Sequence, residues 1–250
     1  MSLFFLAKMK TVLIIPSYNP DLNILNTIVK LRRKNIKNKI IIIDDGSSAK
    51  SRLIFCYIKK NFKNIKIFRN LKNLGQGGAI KEGLKKSKIS YLNKICTIDD
   101  DGQHHADDVK KVLHLIENSI TQSNVYFGVR LFTLKETPFF SLIGNFISKK
   151  IFNLITKFEL KDTQTGLRAY SYFAINKIKK IKNNGFDYHN IMNFFLFFEK
   201  IKIKQIKIKT IYFDKNKKTK FKSIKDSLKI LKEIFIKKNY LPTKNSPPLL

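Results

Sequence analysis

The sequence predicts an α/β fold: one Rossmann-like domain on a mostly parallel central sheet. Short, continuous apolar runs recur through its first half, as expected of strands buried on both faces. Helical patterns separate these runs, the alternation that builds a parallel sheet with helices on both sides. Polar residues and glycines follow the runs at once, where binding loops lie in such sheets, at the strand C-termini.

Taken in order, residues 11–15 are the first strand, and Pro16, Ser17, Tyr18, Asn19 and Pro20 form the loop after it. Asp21 is positioned to cap a helix that runs to about Lys34. Residues 39–43 are the second strand, ended by Asp44, Asp45, Gly46 and Ser47. Ser47 or Ser48 caps a helix over residues 49–60, and residues 65–68 are a short third strand. Gly75, Gln76, Gly77 and Gly78 open a helix reaching about Lys86, in a form that accepts close approach of a phosphate. Residues 94–98 are the fourth strand, residues 107–118 a helix, and residues 125–129 the fifth strand. On this layout Tyr18, Asp44, Asp99 and Arg130 share one edge of the sheet.

The second half is less regular. Residues 138–158 read as one or two helices with an apolar stripe at Phe139, Ile143, Phe146, Ile147, Ile151, Leu154 and Phe158. We read the stripe as a core-facing surface; the alternative is a helix lying in a membrane interface, suggested by Lys149, Lys150 and Lys157. Asp162 to Arg168 form a polar loop leading into a strand, and residues 206–213 alternate as a half-exposed strand does. Residues 223–238 predict a basic amphipathic helix. We expect residues 1–9 to be an extension, residues 10–238 the folded domain and residues 239–250 a disordered tail.

The 50 Lys and Arg against 18 Asp and Glu give a net charge of +32, a field that attracts polyanions such as phosphorylated substrates, anionic lipid or nucleic acid. Abundant Lys, Ile, Asn and Phe also fit an AT-rich genome, so the charge supports an anionic partner without identifying it. Cys56 and Cys96 form neither a metal-type spacing nor a disulfide framework, which favours a reducing cytoplasm. No secretory leader is evident and no run approaches the ~20 apolar residues of a membrane span, so the protein is expected to be soluble or peripheral.

The densest chemistry lies at Asp99, Asp100, Asp101, Gly102, Gln103 and His104, directly after the fourth strand. Adjacent like charges repel without a counterion, and carboxylates at a strand end can converge on one hard cation. Acid-rich ligation points to Mg2+ or Mn2+ rather than zinc.

Six segments in fixed order then resemble one family: Pro16–Asn19, Asp44–Ser47, Asn73–Gly77, Asp99–His104, Gly128–Arg130 and Asp162–Arg168. Together they are similar to family 2 glycosyltransferases of the GT-A fold, and within them to the dolichyl- and polyprenyl-phosphate sugar synthases, over roughly residues 10–236. The resemblance implies that Pro16, Tyr18, Asn19, Asp44 and Asp45 hold the donor's base and ribose. Gly75, Gln76, Gly77 and Arg130 would line its diphosphate, Asp99 and Asp100 would also meet the donor, and Asp99, Asp101 and Gln103 would bind the metal. It implies that Asp162 acts near the acceptor, that Arg168 binds phosphate, and that Gln164, Thr165, Asp187, Lys220 and Lys222 meet the acceptor. Departures occur at Gln76, where relatives usually have lysine, at Asp100, usually small and uncharged, and at His189, which replaces an acid. Lys72 or Lys81 is a candidate to compensate for Gln76.

The expected activity is metal-dependent, inverting transfer of a sugar from a UDP- or GDP-sugar to polyprenyl phosphate, with Asp101, Asp162 and Arg168 as catalytic residues. The partners would be the nucleotide sugar, the lipid phosphate and an anionic membrane surface on the cytoplasmic side, with a membrane-embedded protein as a further candidate and no nucleic acid. One alternative is transfer to a sugar hydroxyl in surface polysaccharide, which needs a carboxylate base such as Asp162 or Asp187. Others are a basic nucleic-acid-binding protein and a transferase-like chain that has lost activity.

Overall fold

A computed structural model describes residues 10–88, 93–121, 123–130, 139–185 and 188–209. The expectations for residues 1–9, Asp187, Lys220, Lys222, the basic helix at 223–238 and the tail at 239–250 fall outside the described residues.

The strands are β1 (Lys10–Ser17), β2 (Lys39–Asp44), β3 (Ile65–Arg69), β4 (Asn93–Thr97), β5 (Asn124–Arg130), β6 (Arg168–Tyr170) and β7 (Lys202–Ile208). The helices are α1 (Asn23–Arg33), α2 (Ala49–Asn61), α3 (Gln76–Lys86), α4 (Ala106–Glu117), α5 (Phe139–Thr156), α6 (Tyr172–Ile178) and α7 (Tyr188–Phe198). They build a seven-stranded sheet in the order β3-β2-β1-β4-β6-β5-β7. Among the described strands only β6 runs against its neighbours, pairing antiparallel with both β4 and β5. The mostly parallel sheet expected from the sequence is therefore present.

The apolar runs are continuous because both sheet faces are covered. Ile41 and Ile43 face a core built with α3, α6 and α7, whereas Ile40 and Ile42 face one built with α1, α2 and α4. Truncating any one of these isoleucines to Ala would cost about 2–5 kcal/mol. The chain runs outward from β1 to β3, then returns to place β4 on the other side of β1. Such a reversal opens a crevice beyond the C-terminal ends of β1 and β4, where open α/β sheets bind ligands. Ser17 and Asp99 stand at the two lips of that crevice.

Several local expectations change. Asp21 does not occupy the N-cap of α1; it accepts the Asn23 N–H at 2.8 Å from one residue earlier, and Leu22 holds the cap position. Lys94 is buried because its ammonium ends α4, donating to the carbonyls of Ile116 and, at 2.9 Å, Ser119. The carbonyl end of a helix favours such a cation. β7 begins at Lys202, earlier than the alternation suggested, and lies parallel to β5.

Helix α5 corrects the stripe more sharply. Ile151 and Phe158 pack against the core, yet Phe146 is 58% exposed and Leu154 81%. The inward face is instead Gly144, Asn145, Ser148, Phe152 and Thr156. Two interactions select it. Asn145 Oδ1 accepts from the Thr163 backbone N–H at 3.0 Å and its hydroxyl at 2.9 Å. Phe152 packs against Phe194 at 4.8 Å and Phe197 at 6.1 Å between ring centroids. Among the described residues no helix is long and apolar enough to cross a membrane.

Candidate active site

Four of the expected residues lie where the sequence placed them, at or just beyond the C-terminal ends of β1, β2, β4 and β5: Tyr18, Asp44, Asp99 and Arg130. Pro16 is the penultimate residue of β1, and Tyr18 is exposed at the rim. Asn19, in a left-handed conformation (φ 49°), ties the first two loops together. Its Oδ1 accepts the Ser48 N–H at 2.8 Å, and its own N–H donates to Ser47 Oγ at 2.9 Å. That contact takes the Ser47 hydroxyl, and the Ser48 side chain makes no capping bond either, so α2 starts without the serine cap expected.

Asp44 and Asp45 are both buried and engaged with the protein itself. Asp44 accepts the Ser47 N–H at 2.8 Å through Oδ1 and pairs with Arg69 through Oδ2. Asp45 accepts from Asn70 Nδ2 at 2.7 Å, Leu74 N at 3.0 Å and Gly75 N at 2.9 Å. These carboxylates mould the nucleotide-side loops. Arg69, a residue the sequence reading passed over, places a partly exposed guanidinium there; a cation at the end of the third strand was the available signal.

The glycine segment differs from its expected phosphate-cradle form. Gly75 has φ +83°, and a Cβ there would stand 2.6 Å from the Asn184 carbonyl oxygen; one on Gly77 would meet the Tyr188 ring at 2.5 Å. The glycines make room for the segment between α6 and α7. Lys81 is committed to the same segment, donating to the carbonyls of Ile181 at 2.9 Å and Asn183 at 3.0 Å, so it does not stand in for the lysine missing at Gln76. Gln76 instead donates to Asp99 Oδ1 at 3.2 Å.

Asp99 is the hub. Its side chain is 29% exposed, and Oδ2 lies 3.3 Å from His104 Nε2. Burial pushes its carboxyl up, but the hydrogen bond and charge interaction with His104, with Arg130 contributing, outweigh this and hold it below the usual carboxylate range. Asp101 goes the other way: burial, then the Asp99 charge, push it up to about 6. Its Oδ1 accepts the Gln103 N–H at 3.0 Å. Asp100, unexplained by the sequence, accepts from Ser17 Oγ at 2.5 Å and joins the two lips of the crevice.

The loop before β6 closes the opposite wall. Asp162 is fully buried and forms a two-pronged pair with Arg130: Nε to Oδ2 at 2.7 Å and NH2 to Oδ1 at 2.9 Å. Burial raises its carboxyl, yet the Arg130 charge and hydrogen bonds, with the Gln164 N–H, hold it below the usual range. Arg168 is also fully buried. It donates to Thr165 O at 2.7 Å, Thr163 O at 2.8 Å and Asn193 Oδ1 at 2.8 Å, and stacks 4.1 Å from the Phe127 ring. Arg168 thus pins the loop from behind; the phosphate contact expected of it is replaced by positioning. Gln164 Nε2, Thr165 Oγ1 and both His189 ring nitrogens are buried without a hydrogen-bond partner among the described residues. Burial, then the Arg168 charge, push the His189 imidazole down to about 3, so the ring is neutral.

The Glycosyl transferase family 2 model matches residues 12–179. The chain belongs to glycosyltransferase family 2. A UDP-N-acetylglucosamine–dolichyl-phosphate N-acetylglucosaminyltransferase of Methanococcus voltae is 32% identical over 216 residues, 80% of this chain and 85% of that one. A dolichyl-phosphate beta-glucosyltransferase of Saccharomyces cerevisiae is 29% identical over 188 residues, 66% of this chain and 55% of the yeast protein. The transferase is thus similar to the dolichyl-phosphate sugar synthases. Glucosyl-3-phosphoglycerate synthase of Mycobacterium tuberculosis, in a complex with Mn2+, UDP and glucosyl-3-phosphoglycerate, superposes with a TM-score of 0.70 over 95% of this chain and 82% of that one, at 10% identity. That likeness establishes the GT-A fold of this glycosyltransferase.

Proposed function

We propose that this glycosyltransferase moves a sugar from a nucleoside-diphosphate donor to the phosphate of a polyprenyl lipid, with inversion at the anomeric carbon. The relatives named for dolichyl phosphate support the acceptor class. One structural observation favours it over a sugar hydroxyl. A hydroxyl acceptor needs a base, and of the two candidates Asp162 is fully buried, locked to Arg130 and held below the usual carboxylate range, while Asp187 lies outside the described residues. A phosphate acceptor is already ionised near neutral pH and needs little base. It needs cations and good alignment.

The donor would enter the crevice between the β1 and β4 ends, with its base side toward Tyr18, Asn19 and the Asp44–Arg69 pair. Asp99 and Asp101, with Gln103, would hold Mg2+ or Mn2+. The residues fit such an ion. The donor set is oxygen, and the Asp99 charge raises Asp101, a repulsion that a cation would relieve. Among the described residues no group of three or more His, Cys, Asp or Glu side chains is placed to hold a metal, so the carboxylate ligands would be Asp99 and Asp101 alone. The ion would act there as a Lewis acid on the leaving nucleoside diphosphate. Arg130 neutralises Asp162 beside the crevice, and Arg168 keeps the loop closed against Asp99. The outward apolar face of α5, with Lys149, Lys150 and Lys157 and no acidic residue within the helix, supports peripheral contact with an anionic bilayer. A panel of UDP- and GDP-sugars, assayed with polyprenyl phosphate and with oligosaccharide, tests this reading. Transfer to the lipid phosphate is expected; transfer only to saccharide would overturn it.

A further inference from the structure

We propose that His189 is a specificity-determining residue that reads the transferred sugar, through one hydrogen bond given and one accepted. This rests on the transferase reading above.

Placement comes first. His189 lies in the first turn of α7, and Asn193 is one turn further along the same face. Asn193 is tied to the site wall, accepting from Arg168 NH1 at 2.8 Å and donating to Thr163 O at 2.9 Å. His189 therefore projects toward the same wall, and Asp99, Arg130 and Asp162 all act on it electrostatically. Its neighbour Tyr188 fills the space left by Gly77, which fixes the helix end against α3.

The second observation is what His189 lacks. The residue is 4% exposed, yet neither Nδ1 nor Nε2 has a hydrogen-bond partner among the described residues. A buried imidazole that only fills space normally has one, because an unmet polar group costs stability. The Gln164 amide nitrogen and Thr165 hydroxyl, on the loop that Arg168 pins, are unpartnered as well. The unmet groups thus include donors and acceptors, which matches a polyhydroxylated ring better than a phosphate, which only accepts. A neutral imidazole offers one of each; a carboxylate in its place would only accept. The ligand class is the hexose or N-acetylhexosamine of the donor.

The test compares wild type with His189→Gln and His189→Leu. Calorimetry measures binding of UDP, GDP and their sugar conjugates without acceptor, and kcat/KM is measured across glucose, N-acetylglucosamine, galactose and mannose donors. His189→Leu should lose roughly 10- to 100-fold in kcat/KM for the preferred donor, unevenly across sugars, while binding of the bare nucleotide stays within about twofold. His189→Gln, which keeps a donor and an acceptor, should recover most of that loss. An equal loss across all sugars, weakened binding of the bare nucleotide, or a Leu variant equal to wild type would each overturn the proposal. If His189→Leu fails to fold, His189→Glu, which only accepts, takes its place: a shifted donor ranking supports the proposal and an unchanged ranking overturns it. Wild type that binds no nucleotide sugar sinks the transferase reading and this proposal with it. Failure of His189 alone leaves wild-type binding intact.

Discussion

The Asp99 carboxylate rests directly against Gly166: a Cβ on that glycine would stand 2.0 Å from Asp99 Oδ2. The hub of the β4 loop and the loop before β6 are thereby in contact, with no space for any side chain between them. Gly166→Ala should displace the carboxylate while leaving the sheet folded. Because a misplacement of about 1 Å at a reacting centre costs roughly 100-fold, kcat/KM should fall by at least that factor with an unchanged circular dichroism spectrum. Full activity would remove Asp99 from the site.

Arg130 and Asp162 should behave as a coupled pair. Removing one partner leaves the other charge uncompensated in a site where Asp162 has no solvent exposure. Asp162→Asn or Arg130→Met alone should each destabilise by about 3–5 kcal/mol in urea unfolding. The double variant Arg130→Met with Asp162→Asn should lose well under the sum of the two single losses. Additive losses would mean that the pair is not an energetic unit.

Legibility in the sequence followed burial and locality. The strands of the first half were readable because runs such as residues 40–43 are buried on both sheet faces and need no partner to be recognised. The crevice residues were readable because each follows directly on a strand. What sequence could not give was the destination of each side chain. Arg168 carries a charge and reads as a phosphate ligand, but three hydrogen bonds to the wall behind the site engage it. Gly77 reads as a phosphate cradle, but a ring more than a hundred residues away in the chain fills that space, the Tyr188 ring. In α5 the apolar count pointed one way and Asn145, bound to Thr163, turned the helix the other. These are long-range contacts with no local signature.

Acid should reveal Asp162 as well. Its folded pKa lies below the ordinary carboxylate value, so it stabilises the fold above about pH 4 and loses that contribution as pH falls through its folded pKa. Urea midpoints measured from pH 7 down to pH 3 should separate wild type from Asp162→Asn at neutral pH, with the gap closing in acid. A gap that widens toward pH 3 would contradict the depressed pKa.

The outward face of α5 should bind bilayers. Replacing Phe146 and Leu154 with Ser removes exposed apolar surface and touches no core residue. Sedimentation with phosphatidylglycerol vesicles should drop severalfold for that variant, while its melting temperature holds. Unchanged sedimentation would show that this face does not meet the bilayer.

Removal of the divalent ion should stop turnover reversibly. EDTA should abolish transfer and added Mn2+ or Mg2+ should restore it in wild type, whereas Asp101→Ala should stay inactive and folded at any metal concentration. Turnover that persists in EDTA would contradict the assignment of Asp99 and Asp101.

Sugar transfer to a lipid phosphate is put to its sharpest test by competition. The wild-type enzyme is given one radiolabelled nucleotide sugar, Mn2+, and equal concentrations of polyprenyl phosphate and an oligosaccharide acceptor. Label is expected in an organic-soluble glycosyl phosphate of inverted anomeric configuration. Label carried on the oligosaccharide instead would contradict it.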